Sequence, residues 1–337
     1  MTLVLDGRTV SSGQQCYIIA EIGINHEGSV ETCARMIEEA ARAGADAVKL
    51  QTVDADENYA PGTESHDLFS AAELSREDTA GMFDLGRKLG VQVFTTVGDF
   101  VTLEWVDKLN PVAYKISSGL LTSLPIVHRI AQRGRAVLMS TGMATLDDID
   151  NAVETAHKGG ANGIGLFQCT SIYPAPLESL NLSSIRWMSE RYDLPTGFSD
   201  HSAGIEAAPL AVAAGAVMLE KHFSLDPARA GFDHRLSLTP ADFASMVGAV
   251  RRAEQAMGTA AKQRSDGETQ NAARYHRTLA ARRDLEEGTV LGEGDIGIMR
   301  LPPGHGGLLP VAFDDVVGRS LAVARRRYDP IRSEDLA

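Results

Sequence analysis

The sequence is poor in cysteine and in positive charge, and it contains no long apolar run and no low-complexity tract. Only Cys16, Cys33 and Cys169 occur in 337 residues, and no two of them have CxxC spacing. An odd, scattered set excludes a disulfide framework or a zinc site and predicts free thiols in a reducing cytoplasm. No basic-then-apolar leader opens the chain, and no stretch approaches the ~18 apolar residues of a membrane span. The expectation is a cytoplasmic protein, neither secreted nor membrane-bound. Lys plus Arg number 32 against 45 Asp plus Glu, a net charge of −13. A uniformly acidic surface repels phosphate polymers, which argues against nucleic acid as a partner. A small anionic substrate would then need a local basic pocket.

What is present is a regular alternation. Short β-type runs are predicted at Tyr17–Gly23, Ala47–Thr52, Val91–Thr96, Val112–Ser117, Ala136–Ser140, Gly163–Cys169, Gly197–Asp200 and Val217–Phe223. Helical patterns fill the gaps, as where Val30, Ala34, Ile37 and Ala41 recur at helical spacing, or where Ser75-Arg-Glu-Asp78 has capping-box form. Eight strand–helix units predict an α/β fold, a (β/α)8 TIM barrel over residues 1–258. An open doubly wound sheet would need a nucleotide-type glycine turn, and Gly23-Ile-Asn-His-Glu-Gly28 is not GxGxxG. The polar stretch from Val53 to about Ser75 reads as a long loop of functional type. Residues 259–277 read as a linker, small, polar and charged from Thr259 to Gln270. Residues 278–337 read as a separate small β-rich unit with many glycines. At about 60 residues that unit is expected to bury little core alone and to lean on the barrel or another subunit.

The polar residues cluster where a barrel does its chemistry, at the C-terminal ends of strands. Successive strands end in Glu21; Lys49 and Gln51; Thr95 and Thr96; Lys115 and Ser118; Ser140 and Thr141; Gln168, Thr170 and Ser171; Asp200 and His201; Glu220 and His222. Lys49 and Lys115 lie in apolar strand sequence, so each needs an anionic partner. One reading pairs them with Glu21 and Glu220 as structural salt bridges. The other gives them, with nearby hydroxyls, the phosphate and carboxylate of a small keto-acid phosphate. His201 and His222 stand on adjacent strand ends, with Asp200 and Glu220 as candidate orienters. Two imidazoles leave open positions that suit a divalent Lewis acid, Mn2+ first and Mg2+ or Co2+ as substitutes.

The segments AEIGINHEGS, AVKLQT, AYKISSG, STGM, CTSIYPAP, GFSDHSAG, LEKHFSLD and GFDHRLSLTPADF resemble the sialic acid synthase family of nonulosonic acid synthases. The tail AARRDLEEGTVLGEGDIGIMRLPPGHGG…VVGRSL resembles that family's antifreeze-like (SAF) domain. The resemblance implies condensation of phosphoenolpyruvate with a sugar aldehyde, N-acetylmannosamine or a related aldose, to a nonulosonic acid and phosphate. It implies that Lys49, Thr96, Lys115, Ser118 and Ser140 bind phosphoenolpyruvate and that His201 and His222 hold the metal. Glu21, Gln51, Tyr173 and Asp233 match groups near the sugar and reacting carbons, with Glu21, Lys115 and Asp233 in the chemistry. Ser171 matches a substrate-binding position usually occupied by Asn. Arg300, in IMRLPPG, matches an arginine that reaches the partner's sugar site in a domain-swapped homodimer. Leu120 stands where the family usually has an acid, which with Ser171 predicts an acceptor other than N-acetylmannosamine. Two rival readings are a Schiff-base pyruvate aldolase using a strand lysine and an inactive sugar-binding homologue.

Overall fold

The computed structural model describes residues 2–337, which fall into two compact units divided between Gly258 and Thr259. In the first unit, β1 (Leu3–Leu5) and β2 (Arg8–Val10) form an antiparallel hairpin. Eight parallel strands follow: β3 (Tyr17–Gly23), β4 (Ala47–Gln51), β5 (Gln92–Thr96), β6 (Ala113–Ile116), β7 (Ala136–Ser140), β8 (Ile164–Cys169), β9 (Thr196–Asp200) and β10 (Met218–His222). They close into a barrel in chain order, with β10 bonded to β9 on one side and to β3 on the other, Met218 opposite Tyr17. The strands are buried along nearly their whole length, as expected of a parallel sheet covered on its outer face.

The covering helices follow their local chemistry. In helix Val30–Arg42 the Ser29 side chain caps Thr32 N, and Cys33, Met36, Ile37 and Ala40 form the buried stripe. Helix Arg76–Leu89 is capped by Ser75 and ends on Gly90 at φ 73°, a left-handed cap that glycine adopts without a Cβ penalty.

Three features differ from the sequence-based expectation. The β1–β2 hairpin was not anticipated; its Leu3, Leu5 and Val10 pack with Tyr17, Phe94, Phe167 and Met218 inside the barrel. The stretch after β4 is not a bare loop but holds helices Ala55–Asn58 and Glu64–Ala72. In the second unit, helix Asp266–Tyr275, started by a Ser265–Glu268 capping box, occupies part of the expected linker.

That second unit pairs β11 (Thr278–Ala281) with β12 (Ile296–Met299) in an antiparallel sheet extended by isolated bridges, Ala280 to Pro330 among them. Leu279, Ala281, Leu285, Leu291, Ile296, Val316, Leu321 and Ile331 form a core of its own, so it is less dependent on other surfaces than its length suggests. No helix among the described residues is long and apolar enough to cross a membrane.

Candidate active site

At the C-terminal ends of the strands, side chains from β3, β4, β6, β7 and β10 meet around a cavity of about 250 Å³. Lys49 Nζ lies 2.7 Å from Glu21 Oε2 and 3.8 Å from Glu220 Oε1. Lys115 Nζ lies 3.4 Å from Glu220 Oε1 and donates to Ser140 Oγ at 2.7 Å. Ser199 donates to Glu220 Oε1 at 3.0 Å, and Gln51 Nε2 donates to Glu21 Oε1 at 3.2 Å. All four charged groups are buried.

Burial opposes every one of these charges, and the neighbours decide the outcome. Burial raises the Glu21 carboxyl to about 7 despite Lys49 beside it. Burial also lowers Lys115, with Glu220 only partly offsetting it. For Lys49 burial is outweighed by Glu21 and Glu220, which hold the ammonium above its ordinary value. The same pairing holds Glu220 below the usual carboxylate range although burial pushes it up.

The structural-pair reading of the lysines is therefore met as far as contacts go. Yet these pairs border a cavity, and Thr96 Oγ1, Glu220 Oε2 and His222 Nδ1 are buried without hydrogen-bond partners in the same region. A purely structural network normally satisfies such atoms.

His201 and His222 come together as the sequence suggested, with ring centroids 5.3 Å apart. His201 Nδ1 donates to the Thr170 carbonyl at 2.9 Å, which fixes the tautomer and leaves Nε2 as the lone-pair nitrogen. The Tyr173 ring lies over His201, with centroids 4.3 Å apart and planes tilted by 31°. Burial, followed by the neighbouring His201 and lysines, holds His222 well below its ordinary value and therefore neutral. Among the described residues no group of three or more His, Cys, Asp and Glu converges as a metal site. Burial lowers His201 as well, but Cys169 and the Thr170 carbonyl outweigh it and hold this imidazole above its ordinary value. The pair, with the unpartnered Nδ1 of the neutral His222, fits a divalent ion that would displace the His201 proton and take its remaining ligands from substrate and water oxygens.

The expected orienters are different. Asp200 faces away from the imidazoles and pairs with Lys221 at 2.9 Å, and Glu220 serves the two lysines. Asp233 is the carboxylate beside His222, with Oδ2 3.6 Å from Nδ1.

Of the remaining candidates, Ser118 and Tyr173 line the cavity. Thr96 sits between Gln51 and Lys115 in the sheet. Ser171 lines a neighbouring cavity, and Arg300 lies in the second unit with its guanidinium 4.8 Å over the Tyr275 ring. Leu120 packs on the apolar cluster of Leu103, Val106 and Ile116 and is not part of the cavity wall, so its apolarity does not alter that lining. Leu68, Phe69 and Cys169 line the cavity and were not anticipated.

The turn after β3 carries a pH-sensitive element outside this cluster. Burial lowers the His26 pKa to about 4, and its Nδ1 accepts from Gly28 N. A His depressed below its unfolded value of about 6.5 adds stability above that pH and loses it as pH falls toward about 4. The wild type is expected to lose about 3 kcal/mol through this group across that window. His26→Gln should flatten that part of the denaturation-versus-pH curve; an unchanged slope would refute the assignment.

The NeuB family model matches residues 36–262, and the SAF domain model matches residues 276–337. The chain is 35% identical to an uncharacterized protein of Methanocaldococcus jannaschii, across 89% of this chain and 88% of that one. It is 33% identical to the N,N'-diacetyllegionaminic acid synthase of Legionella pneumophila, across 93% of this chain and 92% of the relative. The crystal structure of an N-acetylneuraminic acid synthetase from Leptospira borgpetersenii, in complex with citrate, superposes with a TM-score of 0.77 at 30% identity, covering 80% of this chain and 95% of that one. With a closed barrel, a following SAF domain and synthases among its relatives, this chain belongs to the NeuB family.

Proposed function

We propose that this protein condenses phosphoenolpyruvate with the open-chain form of an aldose, giving a nonulosonic acid and phosphate. The observation that carries this reading is that Lys49, Lys115, Ser118 and Ser140 border the same cavity as His201 and His222. The lysines, with Ser118, Ser140 and Thr96, hold the phosphate and carboxylate, so that substrate anions take over contacts now made by Glu21 and Glu220. Gln51 and Tyr173 hold the sugar. A divalent ion held by His201 and His222 would supply positive charge at the aldehyde oxygen.

The methylene carbon (C3) of phosphoenolpyruvate bonds to the aldehyde carbon, whose oxygen takes up a proton. Water adds to the phosphate-bearing carbon (C2), left electron-poor by that attack, and gives one proton to Glu21 or Asp233. The C2–O bond to phosphate then breaks as the new C2 hydroxyl loses its proton, leaving the keto acid and phosphate. Glu21, raised to about 7, suits proton exchange near neutrality.

Phosphoenolpyruvate labelled with 18O in the C–O–P bridge tests this, with products from a panel of aldoses read by mass spectrometry. The bridging label is expected in released phosphate. Unlabelled phosphate would mean cleavage at phosphorus and refute the mechanism. The lowered Lys115 amine gives the Schiff-base aldolase its one support. Borohydride trapping of pyruvate on Lys115 would favour that reading, which leaves the imidazoles unused.

The same reading extends to a homodimer in which Arg300 serves the partner subunit's acceptor site. Mixing Arg300→Ala with His222→Ala chains is expected to restore part of the activity, because a swapped pair has one site free of both defects. No recovery would exclude the exchange.

A further inference from the structure

The turn after β3 and the loop after β10 are joined by buried polar side chains that the steps above do not use. Asn25, 1% exposed, is the centre. Its Oδ1 accepts from the backbone N–H of Asp233 at 3.0 Å, and its Nδ2 donates to the Phe223 carbonyl at 3.1 Å and to Ser237 Oγ at 3.0 Å. Ser237 Oγ in turn donates to the Asp233 carbonyl at 2.6 Å. Both backbone groups of Asp233 are thus held, one by Asn25 directly and one through Ser237.

The next residue is tied as well. His234 lies between Ser224 Oγ at 2.7 Å and Glu27 Oε1 at 2.8 Å, and Glu27 Oε2 accepts from Arg229 at 2.6 Å. This serine–histidine–glutamate order resembles a hydrolytic triad, but Ser224 is fully buried and its oxygen also accepts from Asp226 N, so no substrate reaches it. It acts as a strut. Phe232, immediately before Asp233, has φ 49°, a left-handed conformation that a bulky residue keeps only when its surroundings impose it.

We propose that Asn25 is a positioning residue for the condensation: it holds the Asp233 backbone so that the carboxylate stays beside His222. The proposal rests on the role given to Asp233 above. Asparagine suits the position because one planar group offers an acceptor to an N–H and two donors to a carbonyl and a hydroxyl. Aspartate lacks those donors.

Amide hydrogen exchange without substrate is the first measurement. Asn25→Ala is expected to speed exchange in residues 226–238 at least about tenfold, because a buried tether is removed, while β4–β7 stay protected. Kinetics are the second. Asn25→Ala is expected to lower kcat about 10- to 100-fold and to leave KM for phosphoenolpyruvate within about twofold. In an Asp233→Ala background the same substitution should have no further effect, because its action passes through Asp233.

Unchanged exchange, losses that multiply with those of Asp233→Ala, or a parallel rise in KM for phosphoenolpyruvate would each overturn the proposal. If Asn25→Ala does not fold, Ser237→Ala, which removes a single tether, carries the same test with a roughly tenfold effect. Faster exchange in a protein whose wild type condenses no aldose would sink the proposed function yet keep Asn25 as the anchor of Asp233.

Discussion

Lys49→Met is expected to reduce turnover by about 10³-fold and to lower stability by roughly 3 kcal/mol. The first effect follows from the ammonium's place at the cavity, where it would face the substrate anion. The second follows from what it leaves behind, since Glu21 and Glu220 both lie within ion-pair distance of Nζ. Without Lys49, a buried carboxylate loses its main counter-charge. Its pH dependence has a definite sign. Glu21 already titrates at about 7, above its unfolded value of 4.5, so it favours the folded state at low pH and loses that contribution as pH rises through its folded value. The variant's deficit should therefore be smallest in acid and grow toward alkaline pH. Lys49→Met combined with Glu21→Gln is expected to regain most of the stability and none of the turnover. Recovery of turnover in the double variant would reduce Lys49 to a structural counter-ion. Chemical denaturation at several pH values and steady-state kinetics separate these outcomes.

Exhaustive removal of divalent ions is expected to lower turnover by about 10³-fold, the size of several kcal/mol of lost charge stabilisation, with Mn2+ restoring it. His222→Ala should weaken Mn2+ binding, measured by calorimetry without substrates, at least about tenfold. The variant should remain folded, because His222 Nδ1 has no hydrogen-bond partner to strand. Full turnover after chelation would remove the imidazole pair from the chemistry, and unchanged Mn2+ affinity would remove His222 from the metal.

The barrel was legible because its strands are short apolar runs with polar ends, and Ala136–Ser140 and Tyr17–Gly23 match their expected limits residue for residue. The hairpin at Leu3–Val10 was not legible by periodicity, since three-residue strands carry almost none. Its signal was the turn at Asp6-Gly7, both at positive φ, flanked by apolar residues. The expectation that Asp200 orients an imidazole failed because adjacent strand residues face opposite ways, and Asp200 shares the outward face with Lys221. Glu220 does share the inner face with His222, but its carboxylate is taken by Lys49, Lys115 and Ser199. Leu68 and Phe69 were hidden as an apolar pair in a polar stretch, and only the nine-residue helix carrying them brings them to the cavity. The Asn25–Asp233 tether joins residues 208 positions apart, a separation no local pattern reveals.

The closing strand has a consequence for how the chain is made. β10 bonds to both β9 and β3 and also carries Glu220 and His222. A nascent chain that has not yet released residues 218–222 from the ribosome exposes two unpaired sheet edges, and its Lys49 and Lys115 lack the carboxylate they share. Such edges pair readily with neighbouring chains. Docking of β10 ends that exposure and completes the ion-pair cluster in the same event. Fragments ending before Met218 are therefore expected to aggregate during synthesis, whereas a chain ending at Gly258 can close its barrel.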